Sequence, residues 1–160
     1  MTKEIAIEEV VPTFPPTLEN IEQIEARMLD LPQVDCPLTH IFTPGSYYRE
    51  ILMPAGAFVI GHRHKTEHVN IVLSGKASVL CDGQMMHIEA PYVFVSKPGV
   101  RKLLYIRETM RWATVHPTNE TDLQKLEAEL IEKSGAYLEH AAEIEQLKNK
   151  VKEDANALPA

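Results

Sequence analysis

The sequence predicts a mainly β protein, an antiparallel jelly-roll barrel with a short N-terminal helix and a C-terminal helical tail. From about Leu38 to His116, short runs rich in β-forming residues recur at roughly 8–12-residue spacing, separated by turn signals such as Asp82-Gly83. No long helical segment lies between these runs, which argues against a parallel sheet built from βαβ units. About eight strands in roughly 80 residues are typical of a compact jelly roll.

The N-terminal part is predicted to lie outside the barrel. Prolines at positions 12, 15 and 16 favour an extended arm over residues 1–16, because proline lacks an N–H and restricts the residue before it. Thr17 is predicted to cap a short helix that packs on the main body. The apolar stripe of this helix consists of Leu18, Ile21, Ile24 and Met28. The predicted divisions are residues 1–37, 38–117 and 118–160.

After Pro117 the apolar residues follow a helical period. Thr121 and Gln124 have the spacing of a capping box, which predicts a helix start. Ser134-Gly135 interrupts the pattern, so the tail is either two helices docked on the barrel or an imperfect coiled coil. The apolar residues at alternating a and d positions are Leu123, Leu126, Leu130, Tyr137, Ile144, Leu147 and Val151.

Composition excludes several classes of function. The 160 residues carry 16 Lys and Arg against 23 Asp and Glu, a net charge of −7. This charge argues against non-specific nucleic-acid binding and against docking on an anionic membrane. No apolar run approaches the roughly 20 residues of a membrane span. Two cysteines without a CxxC pair favour a reducing compartment, and we predict a cytoplasmic protein.

Three histidines within seven residues are the densest chemical signal. His62 and His64 would point to one face of a strand, whereas His68 would lie roughly 13 Å further along a straight strand. They converge only if the intervening segment turns, and that turn makes Glu67 a competing third ligand. Such a set suits iron, zinc, copper, nickel or manganese better than calcium or magnesium. We interpret His116 as the end of the last strand.

The segment from Gly56 to Gly75 resembles the first motif of the cupins. In that family a glycine precedes His-x-His by five residues, a glutamate follows, and a second glycine closes the motif. Gly56, His62, His64 and Gly75 are in register, and His68 stands where the glutamate is expected. The second motif keeps only Gly99, and Lys102 replaces the histidine that would be the fourth ligand. The overall layout also resembles cupin-domain proteins of tailed bacteriophages.

The resemblance implies a small β-barrel with the histidines on its inner wall. The first hypothesis is a metal-binding protein in which His62, His64 and His68 hold iron, nickel, manganese or zinc. It would bind or transform a small anionic or sugar-like molecule, with Lys102 and Glu67 as candidates to orient the ligand or act in catalysis. Lys102 would repel a nearby metal but could hold an anion. Whether the protein is an enzyme stays open, as does a metal-free pocket or a structural role for the histidines.

The second hypothesis is an oligomeric assembly protein, including a phage virion component, with a relic histidine site. The arm and the terminal helix cannot bury their apolar stripes alone, so we expect them to interlock subunits of a homo-oligomer.

Overall fold

The computed structural model describes residues 18–157, and it confirms a mainly β fold with helices at both ends. The predicted arm over residues 1–16 and the Thr17 cap lie outside the described residues. The strands are β1 (Leu38–Thr43), β2 (Ser46–Met53), β3 (Phe58–Ile60), β4 (Arg63–His64), β5 (His68–Cys81), β6 (Gln84–Glu89), β7 (Tyr92–Ser96), β8 (Lys102–His116) and β9 (Ile131–Glu132). The helices are α1 (Leu18–Leu29), α2 (Leu123–Leu130) and α3 (Gly135–Ala157).

Two long strands organise the β-structure. Seven strands form one antiparallel sheet in the order β1-β2-β8-β5-β6, with β3 also paired to β8 and β7 to β5. The strands β5 and β8 are 14 and 15 residues long. Each of them contains two of the short runs that the sequence pattern separates. A second, two-stranded sheet pairs β4 with β9, so the tail adds a strand beside His64.

Gly75 lets β5 continue where the sequence pattern predicts a break. The pairing of β5 with β8 shifts register between Val72 and Ala77, which is a β-bulge. Gly75 lies inside this bulge with φ +92°, a conformation that favours glycine. A side chain at this position would collide with the backbone carbonyl oxygens of Glu108 and Thr109. The second glycine of the histidine motif is therefore required by close strand packing.

The core lies between the long strands. Val79, Ile106 and Met110 have no exposed surface, and each contributes about 1.5–3 kcal/mol by its burial. A second cluster forms where Ile24 of α1 packs on Leu80 and Leu103, as the predicted stripe of this helix requires. The helix is thus part of the folded body.

A buried ion pair fixes α1 to the barrel. Glu25 accepts a hydrogen bond from Arg101 at 2.6 Å, and these side chains are 7% and 2% exposed. The hydroxyl of Ser134 donates to the second oxygen of Glu25, also at 2.6 Å. Arg101 donates further to the Gly61 carbonyl at 3.2 Å. One carboxylate therefore joins the N-terminal helix, the start of β8 and the start of α3.

The tail consists of two helices with different surroundings. Asp122 caps α2, accepting from the N–H groups of Gln124 and Lys125, so the predicted capping box at Thr121 is wrong by one residue. Leu126 and Leu130 of α2 are buried beside Tyr47. The helix α3, in contrast, is exposed at every residue from 141 to 155. Among the described residues, no helix is long and apolar enough to span a membrane.

Candidate metal centre

The chain reverses between His64 and His68, as the predicted convergence requires. The strand β4 ends at His64 and β5 begins at His68, with a bend over residues 65–67. Two hydrogen bonds hold Lys65 against α2: its N–H donates to the Leu130 carbonyl at 2.9 Å, and its ammonium to the Ala128 carbonyl at 2.8 Å. The tail therefore fixes the bend that brings two histidines together.

Three imidazoles meet on the inner wall of the barrel. Ring nitrogens of His64, His68 and His116 all lie within 4.8 Å of one another. The ring centroids are 4.2 Å apart for His64 and His68, and 5.0 Å for His68 and His116. Each histidine comes from a different strand, so the cluster depends on the tertiary fold.

Hydrogen bonds leave a nitrogen available on each ring. His68 Nδ1 lies 3.0 Å from the Thr66 carbonyl, which can only accept, so Nδ1 carries the proton and Nε2 is left with a free lone pair. His116 Nε2 is engaged with the Thr114 hydroxyl at 3.0 Å, and its Nδ1 is buried without a partner. His64 Nδ1 is likewise buried and unpartnered.

The environment keeps the imidazoles neutral. Burial, followed by the neighbouring His68 and His116, lowers the pKa of His64 to about 3. Burial, together with His68 and Arg49, lowers the pKa of His116 to about 4. The pKa of His68 is also lowered, mainly by burial. Neutral imidazole is the form that binds a metal, so the cluster is in its ligating state at neutral pH.

The cluster fits a divalent metal ion. Buried polar atoms without partners are rare and costly, and two of them, His64 Nδ1 and His116 Nδ1, belong to rings of the cluster. Three neutral nitrogen donors suit a transition metal and leave further coordination positions open. The donor set does not specify which metal.

His62 and Glu67 lie apart from the cluster. His62 falls between β3 and β4, so the two-residue alternation that relates it to His64 in a strand does not hold. The centroid of its ring lies 4.6 Å from that of Tyr137, with the two rings in a T-shaped arrangement. Glu67 is on the surface, paired with Lys97 at 3.1 Å. The structure thus brings together His64 and His68 of the predicted set, and neither His62 nor Glu67.

His116 is the ligand candidate that sequence reasoning missed. It is 1% exposed, although its place beside Pro117 suggests only a strand end. The alternation along β8 is the sequence signal that could have identified His116, because Met110, Trp112, Thr114 and His116 are all buried at a spacing of two. That pattern places His116 on the inner face.

A cavity of about 240 Å³ is lined by His64 and His68 of the cluster and also by His62, whereas His116 lines an adjoining cavity that Glu127 borders. Arg49 and Lys102 contribute the charged side chains of its lining, and no aspartate or glutamate is among the described residues that line it. Burial lowers the pKa of Lys102, whose ammonium donates to the Ser96 hydroxyl at 2.8 Å. Apolar walls complete the cavity, and their members include Ile51, Met53, Val59, Leu104 and Trp112.

Comparison with known proteins identifies similar folds only. No protein-family model matches the sequence, and no curated protein matches it. An RmlC-like cupin from Methanocaldococcus jannaschii is 13% identical over 52% of this chain and 80% of that chain, with a TM-score of 0.44. The cupin domain of Schizosaccharomyces pombe Cnp3 is 19% identical over 59% and 74%, TM-score 0.44. An RmlC-like cupin from Shewanella frigidimarina is 21% identical over 52% and 77%, TM-score 0.44.

Proposed function

We propose that this protein binds a divalent transition metal through His64, His68 and His116 and uses it to bind or transform a small anionic molecule inside the barrel. The observation that carries the proposal is the convergence of three neutral imidazoles, each with an available nitrogen; two of them, His64 and His68, line the cavity. A buried nitrogen without a partner does not by itself mark a ligand, because Nδ1 of His62, outside the cluster, is buried and unpartnered as well; the convergence makes the difference.

The charges around the cavity support an anionic ligand. Arg49 and Lys102 contribute two cations to a cavity whose described lining has no carboxylate, and Arg49 forms no hydrogen bond or ion pair within the described part of the chain, while Glu127 of α2 acts on it from beyond ion-pair distance. Burying a cation without a counter-charge is costly, so the site favours a ligand that supplies one. A neutral sugar-like molecule would leave this positive charge uncompensated.

The side chains that line the cavity and a bound metal ion would have different roles. When bound, a divalent metal acts as a Lewis acid toward a coordinated oxygen and keeps coordination positions open for it. Arg49 offers a planar fork of donors suited to a carboxylate, while Lys102, held by Ser96, contributes a point charge. The apolar walls would contact the part of the ligand beyond its charged group.

The first experiment measures metal content by elemental analysis in protein purified without an affinity tag. His64→Ala and His116→Ala should each lose at least tenfold in retained metal after dialysis, because each removes one of three ligands. His62→Ala is the matched control: it removes a neighbouring imidazole that lies outside the cluster and should retain the metal.

Two outcomes would contradict the proposal. Loss of metal in His62→Ala, with full retention in His116→Ala, would mean that the motif histidines bind the ion and His116 does not. Absence of metal in the unaltered protein, even after reconstitution with iron, nickel, manganese and zinc, would remove the metal function altogether.

A further inference from the structure

The distal part of α3 has no support from the rest of the described chain. Every residue from 141 to 155 is exposed, whereas α1 and α2 both bury apolar residues against the barrel. A helix of this length is marginal in water unless an amphipathic face packs on something. Its stabilisation therefore requires a partner beyond residues 18–157.

The apolar residues of this segment form a two-stranded coiled-coil seam. Ile144 and Val151 occupy a positions, and Leu147 occupies the d position between them. They are 38%, 66% and 59% exposed, so the seam is uncovered. β-Branched residues at a with leucine at d favour a parallel dimer over larger assemblies.

The flanking charges are complementary between two copies of this helix. Glu143 is at a g position and Lys148 at the following e position, which in a parallel pair face each other across the seam. Neither has an ion-pair partner among residues 18–157. The two-fold symmetry of such a dimer would form this Glu143–Lys148 pair twice. We infer that α3 forms a parallel two-stranded coiled coil with α3 of a second copy of this chain.

The start of α3 is held firmly enough to present this seam. The Ser134 hydroxyl accepts from the Tyr137 N–H at 3.2 Å, capping the helix, and donates to Glu25. Tyr137 packs its ring on His62, and α1 contacts α3. A parallel pair would therefore carry both barrels at the same end of the coil.

The mass of the full-length protein, measured by sedimentation equilibrium, tests this inference. The unaltered chain should have twice the monomer mass, and the double variant Ile144→Asp, Leu147→Asp should be a monomer. Leu138→Asp is the matched control, since this leucine is 54% exposed on the same helix but lies off the seam; it should remain a dimer. A monomeric unaltered chain, or a dimer that survives the double variant, overturns the inference.

Two further variants test the orientation. Lys148→Glu should weaken the dimer roughly tenfold by placing like charges opposite each other, and adding Glu143→Lys should restore it. In an antiparallel pair Lys148 would not meet Glu143, and the single variant would have no such effect.

Val151→Cys should oxidise to a cross-linked dimer in the parallel arrangement. Failure to cross-link while the dimer persists excludes the parallel arrangement.

Discussion

Two arginines of the barrel, the buried Arg101 and the half-buried Arg49, differ in how their charges are matched. Arg101 is 4% exposed, and its charge is matched by Glu25 at 2.6 Å. Arg49 is half-buried, lines the histidine cavity, and forms no ion pair or hydrogen bond among the described residues; the Glu127 carboxylate of α2 acts on it from beyond ion-pair distance. The charge of Arg101 is thus paired within the fold, whereas that of Arg49 is not.

This difference separates architecture from function. The Arg101 pair ties α1 and α3 to the barrel, so removing it should affect folding. Arg49 forms no hydrogen bond or ion pair in the described fold, and its charge lowers the pKa of both His64 and His116, after burial and the neighbouring histidines. Removing Arg49 should therefore affect the site and spare the fold.

The largest expected effect is on the paired arginine. Glu25→Ala should lower the free energy of unfolding by about 3–5 kcal/mol, because it leaves the Arg101 guanidinium buried without its carboxylate. Chemical denaturation measures this loss. Replacing both partners, as Glu25→Leu with Arg101→Met, should recover much of it.

A surface pair provides the control for this measurement. Glu67→Ala breaks the Lys97 pair, whose side chains are 53% and 73% exposed, and should cost less than about 1 kcal/mol. Equal losses in Glu25→Ala and Glu67→Ala would contradict the structural role given to Arg101.

The histidine motif shows which features of the site the local sequence can predict and which it cannot. The strand runs, the turn signals and the helical stripe of α1 were predictable because they depend on neighbours in the chain. The bend between His64 and His68 was predictable as a requirement of convergence, but His62, which lies between β3 and β4, does not join the cluster. His116 joins through β8, whose position beside β5 is set by long-range pairing. Local spacing could not select that third residue.

The second prediction concerns acid stability of the metal-free protein. The His116 pKa is about 4 in the fold and about 6.5 in the unfolded chain, so between these values the unfolded chain binds more protons. Stability should be constant above pH 6.5 and fall as the pH decreases to about 4, by roughly 3 kcal/mol from His116 and by a similar amount from His64, whose loss continues toward pH 3.

Denaturation midpoints across this pH range measure the loss. His116→Gln should make the profile shallower, with the loss from His64 remaining, whereas His87→Gln, which changes an exposed histidine, should leave it unchanged. A flat profile in the unaltered protein would contradict the neutral, buried state of the cluster and would weaken the contrast between cavity and surface.

The last prediction isolates the unpaired arginine. Arg49→Met should leave the free energy of unfolding within about 1 kcal/mol of the unaltered protein, because no internal partner is lost. Affinity of the metal-loaded protein for small carboxylic acids, measured by isothermal titration calorimetry, should fall by about tenfold to a hundredfold, as expected for a charged hydrogen bond. Arg107→Met, on the exposed surface of β8, should keep full affinity. If Arg49→Met instead unfolds as readily as Glu25→Ala, Arg49 is a structural residue, and the positive charge of the cavity no longer argues for an anionic ligand.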